Sequence, residues 1–153
     1  QFTGVARRFE RKGERDGVRL VDDYAHHPSE LAATLQAARV CFPDARLVVA
    51  FQPHLYSRTR MFAGEFGEAL LAADVVVLLP IYPAREKPLT GVTSDLVARA
   101  ARRSGHRDVV TVGSFDDALD RLGALLRPGD VLLTIGAGNV VELGERWLTG
   151  GAA

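Results

Sequence analysis

Apolar positions along the chain change period in a regular way. Two extended stretches open it, Val5 to Lys12 and Val18 to Asp23, and the polar, glycine-bracketed segment Gly13-Glu14-Arg15-Asp16-Gly17 between them predicts a hairpin. From Pro28 the spacing becomes helical: Leu31, Leu35, Ala38 and Cys41 recur on one face, and Pro28 suits a first helical turn. That helix is expected to stop before Pro43. Leu47 to Phe51 is a short apolar, β-branched run, Phe62, Phe66 and Leu70 restore the helical stripe, and Val75 to Leu79 is a second such run ending at Pro80. After the loop Ile81 to Gly91, Thr93 or Ser94 caps a helix reaching about Ser104, where Gly105 marks the end. Val109 to Val112 predicts a strand. Ser114 then caps a helix with Phe115, Leu119, Leu122 and Leu126 on one face and Asp117 in the capping-box position. Val131 to Ile135, the tight turn Gly136-Ala137-Gly138 and a helix from Val140 to Leu148 complete the pattern.

The strand-like runs after the hairpin are unbroken apolar segments rather than alternating ones, the mark of strands buried on both faces. Their alternation with helical stripes predicts an α/β, Rossmann-like three-layer sandwich. Its sheet is expected to be mostly parallel, with about six strands including an amino-terminal antiparallel hairpin strand, and about five helices cover it. A chain of 153 residues buries about two-thirds of its unfolded surface in one core, so a single domain over residues 1–153 is expected.

Composition narrows the partners. No run approaches the roughly 20 apolar residues of a membrane-spanning helix. Nineteen basic residues balance nineteen acidic ones, which removes any long-range field that would steer the domain to nucleic acid or an anionic membrane. An anion must therefore be held by a local cluster. Cys41 is the single cysteine, and no charged-then-apolar leader opens the sequence, so a reducing, cytoplasmic setting is expected.

Ligands of parallel sheets bind beyond the carboxyl ends of the strands, and the unusual polar residues crowd those positions. DDYAHHPSE (Asp22 to Glu30) follows the second strand, QPHLYSRTR (Gln52 to Arg60) the third, PIYPAREKP (Pro80 to Pro88) the fourth and GAGN (Gly136 to Asn139) the last. Asp22 and Asp23 precede a helix start, where a carboxylate caps the helix or accepts hydrogen bonds from a ribose diol. His26 and His27 are adjacent, so they do not share a helix face, and no acidic third ligand follows at a zinc-site spacing. They read as donors that bind a ligand or orient the loop. Arg58 and Arg60 stand near a helix start, where the dipole disfavours cations. Charge placed against local preference points to an anion site, with the helix's own amino end expected to assist. PIYPAREKP reads equally as a rigid crossover or a binding loop. GAGN is a fragment of a dinucleotide fingerprint without its third glycine. Arg99, Arg102, Arg103, His106 and Arg107 read as a solvated basic face. The sequence contains no GxxxxGK[ST] phosphate loop and no nucleophile–His pair at a recognisable spacing.

The ordered strings RRFE (Arg7 to Glu10), DDYAHHPSE, FQPHLYSRTR, PIYPAREKP with TGVTSD (Thr90 to Asp95), and GAGN resemble the carboxyl-terminal domain of the Mur ligases. They span practically the whole chain, from Phe2 to about Leu148. DDYAHHP and QPHLYSRT are similar to the alanine-adding members in particular. The resemblance implies a three-domain enzyme whose other two domains bind the UDP-sugar and carry the phosphate loop. It implies a reaction joining L-alanine to UDP-N-acetylmuramate through an acyl phosphate, with ATP and Mg2+ held mainly by the central domain. In that frame Arg8, Asp23 and Tyr24 are nucleotide-binding, and His26, His54, Tyr56, Ser57 and Arg58 are substrate-binding. This domain alone is expected to have no catalytic residue, no metal site and no activity. Leu55 departs from the arginine, and Asn139 from the acid, common in the family. A sibling adding another amino acid or recycling murein tripeptide is the nearest alternative, and a stand-alone Rossmann-type nucleotide-binding module the alternative of another class.

Overall fold

The hairpin is tighter than its glycine-bracketed sequence suggests. In the computed structural model, which describes residues 6–150, strands β1 (Glu10–Arg15) and β2 (Val18–Asp23) pair antiparallel and are joined by Asp16-Gly17 alone. Both turn residues have positive φ, 51° and 77°, the geometry that matches strand twist and that Asp-Gly favours. Gly13 is absorbed into β1 at a register shift between Arg11 and Gly13. Val5 and Phe2 lie outside the described residues. Within them the strand begins only at Glu10, because Arg7 and Phe9 take φ of 61° and 45° and cannot continue an extended ladder.

The chain continues as α1 (Pro28–Cys41), β3 (Leu47–Phe51), α2 (Tyr56–Ala69) with a short 3-10 turn over Leu70–Ala72, and β4 (Val75–Leu78). It then forms α3 (Asp95–Arg103), β5 (Val109–Thr111), α4 (Phe115–Leu125), β6 (Val131–Ile135) and α5 (Val140–Leu148). The sheet order is β1-β2-β6-β3-β4-β5. Every pairing except β1 with β2 is parallel, so the carboxyl ends of β2, β6, β3 and β4 share one edge.

Successive strand residues go to opposite faces, and the two faces have separate cores. Leu47, Val49 and Phe51 of β3 pack with Leu31 and Leu35 of α1, Phe66 of α2 and Val97 of α3. Val48 and Ala50 pack with Leu122 of α4 and with Leu143 and Trp147 of α5. Full burial of each large apolar side chain stabilises by about 1.5–3 kcal/mol, and these three layers are the expected sandwich. α2 and α3 cross closely at Gly67, where a Cβ would meet the Ala101 nitrogen at 2.6 Å.

Three local expectations are corrected. Cys41 is exposed, and the stripe of α1 is completed instead by buried Thr34, because the last turn rotates past the sheet. At α4 the expected Ser114 cap forms, its Oγ accepting from the Asp117 amide at 3.0 Å, while the reciprocal capping contact belongs to α1, where the His27 amide donates to Glu30 at 3.0 Å. For α3, Thr93 Oγ1 accepts from the Asp95 amide at 3.2 Å, while the Ser94 hydroxyl turns inward to the Leu79 carbonyl. His106 does not belong to the solvated basic face. It is buried, its Nδ1 accepts from the Asp108 amide at 3.1 Å and its Nε2 lies 2.7 Å from the Ala73 carbonyl. That pair of contacts requires the Nε2–H tautomer.

Candidate functional site

Four polar loops meet at the shared edge of the sheet, and the first is anchored by an arginine whose role is not legible in the sequence. Arg7 donates to Asp22 at 2.9 Å and to the carbonyls of Gly136 and Gly138 at 2.6 and 3.2 Å. Asp22, 1% exposed, also accepts from Thr134 Oγ1 at 2.7 Å. Neither aspartate caps α1, which begins later, at Pro28. Asp23 accepts from the Phe9 and Ala25 amides, both at 2.8 Å. Each of its oxygens keeps a lone pair, which leaves room for hydroxyl donors.

From Asp23 a line of rings crosses the edge. The Arg8 guanidinium lies over the Tyr24 ring, 5.6 Å from its centroid, and donates to its hydroxyl at 3.2 Å. Tyr24 and His26 are 5.7 Å apart by centroid, His26 and His54 5.9 Å, and His54 and Tyr82 stack at 5.6 Å. These four rings come from three different loops. At the far end Arg58 donates to His54 Nδ1 at 3.1 Å.

Hydrogen bonding sets the two histidine tautomers differently. Arg58 can only donate, so His54 Nδ1 is bare and its proton is on Nε2. Burial first, then Arg58 and His26, hold the His54 imidazolium below its ordinary value of 6.5, with Glu86 opposing. His54 is therefore neutral at neutral pH. His26 Nδ1 lies 3.0 Å from the Tyr24 carbonyl, which can only accept, so Nδ1 carries the hydrogen and Nε2 of the neutral ring is an acceptor. The edge thus presents a donor and an acceptor from adjacent rings, flanked by two guanidinium groups.

The amino end of α2 is not open to assist Arg58 in binding an anion. The Glu86 carboxylate already occupies it, accepting from the Ser57 amide at 3.1 Å and from the Ser57 hydroxyl. Hydrogen bonds from Ser57 hold Glu86 below the usual carboxylate range, with Arg58 adding to the effect. Arg60 is exposed. Of the residues expected from the sequence, Arg8, Asp23, Tyr24, His26, His54 and Arg58 come together. Ser57 is engaged by Glu86, and Tyr56 lines a neighbouring cavity of about 490 Å3 with Ile81, Leu89 and Val92.

The two family departures are also placed. Leu55 sits at the N-cap position of α2 with φ 74°. Asn139 accepts from Gln52 Nε2 at 2.7 Å, while Gln52 Oε1 accepts from the Val140 amide at 3.2 Å. The glycine turn is tied to the ring line as well, since a Cβ on Gly138 would fall 2.4 Å from the Tyr82 ring. Arg7, Tyr82 and Glu86 are the members that sequence reasoning missed or left undecided. A second cavity, of about 500 Å3, opens at the opposite edge beside Arg15, Pro128 and Trp147. Charged side chains at its rim engage their neighbours, Arg15 donating to the Trp147 carbonyl at 2.6 Å and Arg146 to Asp116 at 2.7 Å.

The model of the Mur ligase glutamate ligase domain matches residues 7–138. The chain belongs to this Mur ligase family. Among relatives, the UDP-N-acetylmuramate–L-alanine ligase of Nitratidesulfovibrio vulgaris is 53% identical over 150 residues, covering 98% of this chain and 33% of that protein. The Mur ligase domain therefore spans about a third of the length of the curated relatives it matches. Among solved structures, UDP-N-acetylmuramate–alanine ligase MurC from Thermotoga maritima superposes with a TM-score of 0.79 at 27% identity, over 97% of this chain and 30% of that one. A murein peptide ligase from Psychrobacter arcticus reaches the same TM-score, 0.79, at 23% identity, over 97% of this chain and 30% of that one. The Mur ligase fold is thus common to ligases of different substrates. Among the described residues no group of three or more His, Cys, Asp or Glu side chains is clustered to hold a metal, and no helix is long and apolar enough to cross a membrane.

Proposed function

We propose that this domain is the carboxyl-terminal wall of the active site of an ATP-dependent ligase that joins L-alanine to UDP-N-acetylmuramate in peptidoglycan precursor synthesis. The observation that carries the reading is the juxtaposition of Arg58 and His54 with Tyr24 and His26 on one sheet edge. The 53% identity to a relative of that name supports L-alanine as the amino acid. In this reading the other two domains of the polypeptide hold the UDP-sugar, the bulk of the ATP phosphates and Mg2+. Mg2+ bound there would neutralise charge at the phosphates.

The chemistry of this domain is positioning. Asp23, with a free lone pair on each oxygen, accepts from the ribose hydroxyls. Arg8, stacked on Tyr24, brings positive charge to the nucleotide. Arg58 takes the carboxylate of alanine by charge-assisted hydrogen bonds, and His54 adds its Nε2–H. His26 Nε2, an acceptor when neutral, lies beside them and orients the alanine amine. Closure of this wall on the other domains excludes water from the reacting carboxyl and aligns the amine with it.

The test is kinetic, on the full-length polypeptide that contains this chain. Arg58→Ala is expected to raise the KM for L-alanine about ten- to a hundredfold, the worth of a hydrogen bond to a charged group, with the KM for ATP little changed. An effect on ATP alone removes Arg58 from the amino-acid site. Competition between L-alanine and murein tripeptide separates this ligase from a recycling one, and measurable turnover by the 153-residue chain alone refutes the division of labour.

A further inference from the structure

The helical turn that carries Arg58 has no side-chain cap of its own. Its N-cap position is filled by Leu55, which has no side-chain acceptor for the first-turn amides, and Leu55 stands at φ 74°, ψ 136°, a region that residues other than glycine disfavour. Beyond Arg58, Phe62 leaves helical geometry at φ −116°, ψ 18°, and Gly64 follows with open space around it. Residues 56–61 therefore form a short helical segment jointed at both ends. Hydrogen bonds from another part of the chain hold its amino end. The Leu55 amide donates to the Tyr82 carbonyl at 2.9 Å, and the Ser57 amide and hydroxyl donate to Glu86. Both anchors come from the proline-rich loop after β4.

We propose that Glu86 is a positioning residue: it serves as the N-cap that α2 lacks, and so locks the jointed segment in the pose where Arg58 and His54 form a carboxylate-binding pair. The inference rests on the reading of Arg58 and His54 given above, and Glu86 touches no ligand in it. A simpler role predicts the opposite sign. If Glu86 acted only as a negative charge near Arg58, its removal would strengthen the hold on an incoming carboxylate, because a competing anion would be gone.

The experiment compares Glu86→Ala, which removes charge and acceptor, with Glu86→Gln, which removes the charge and keeps an acceptor for the Ser57 amide. Steady-state kinetics are measured on the full-length polypeptide with L-alanine varied. Glu86→Ala is expected to raise the KM for L-alanine about tenfold, the size of a lost helix cap expressed as affinity. Glu86→Gln should raise it less than about threefold, with the KM for ATP held within about twofold in both. In an Arg58→Ala background, Glu86→Ala should add nothing further. An alanine KM that is unchanged or lower in Glu86→Ala, or equal losses for alanine and ATP, overturns the proposal. A ligand-free readout keeps it separate from the site assignment: the ring 15N shifts of His54 should show one Nε2–H tautomer in the parent and in Glu86→Gln, and an averaged pair in Glu86→Ala. If Arg58→Ala leaves alanine kinetics untouched, the carboxylate assignment fails, and a His54 tautomer unaltered in Glu86→Ala still refutes positioning by itself. Should Glu86→Ala not fold, Ser57→Ala removes the hydroxyl half of the same contact and is expected to raise the alanine KM about threefold.

Discussion

Arg7→Ala tests how the edge is held together. Arg7 makes three hydrogen bonds, to Asp22, the Gly136 carbonyl and the Gly138 carbonyl, so the truncation frees all three acceptors at once. Asp22 is 1% exposed against 23% for the Arg7 side chain, and after the truncation its carboxylate keeps the Thr134 hydroxyl. Removing one partner of a buried ion pair costs about 3–5 kcal/mol. The partial exposure of Arg7 lets water reach part of the freed surface, which places the expectation nearer 3 kcal/mol. For a domain of this length that corresponds to a fall in Tm of about 6–12 °C. Urea unfolding followed by far-ultraviolet circular dichroism should show the midpoint move while the slope stays constant. Asp22→Asn preserves shape, so it should cost less, and the two substitutions should couple by at least about 1 kcal/mol in a double-mutant cycle. A loss under about 0.5 kcal/mol for Arg7→Ala, or strict additivity with Asp22→Asn, would refute the clasp.

Two further outcomes follow from distances and charge. Gly67→Ala drives a methyl group to 2.6 Å from the Ala101 nitrogen and 2.7 Å from the Ala100 carbonyl carbon. Backbone cannot move aside as a side chain does, so a loss of about 2–3 kcal/mol is expected by thermal unfolding, and unchanged stability would contradict the close crossing of α2 and α3. For His54, burial, Arg58 and His26 lower the pKa below 6.5, so the unfolded chain takes up the proton first as pH falls. Its contribution to stability is complete above 6.5 and is lost as pH falls through the folded value. The same protonation removes the acceptor for Arg58. An NMR titration should find the His54 midpoint below 6.5 and shift it upward in Arg58→Ala; a midpoint at or above 6.5 in the parent would show the ring is not held by Arg58.

Much of the site lay open in the residues because loops at the carboxyl ends of parallel strands must converge. Placing DDYAHHPSE after β2 and QPHLYSRTR after β3 already puts Tyr24, His26, His54 and Arg58 on one rim, and parallel pairing of both strands with β6 is what brings them within ring contact. The choice between Arg7 and Arg8 was not open in that way. The two are neighbours of the same type, and a left-handed φ at Arg7 decides which one turns in to the glycine carbonyls.

Period and punctuation along the chain determined the layers, the strand and helix order and the edge that carries the chemistry, because burial of alternating or helical stripes is a local demand written in each segment. Tertiary structure alone decided where hydrogen bonds close. Glu86 accepting from the Ser57 amide at the start of α2 and Asp22 meeting Thr134 across 112 positions of sequence depend on partners from separate segments. No local pattern specifies such a partner. A polar side chain needs a partner when buried, but which one it meets is set by how the strands stack.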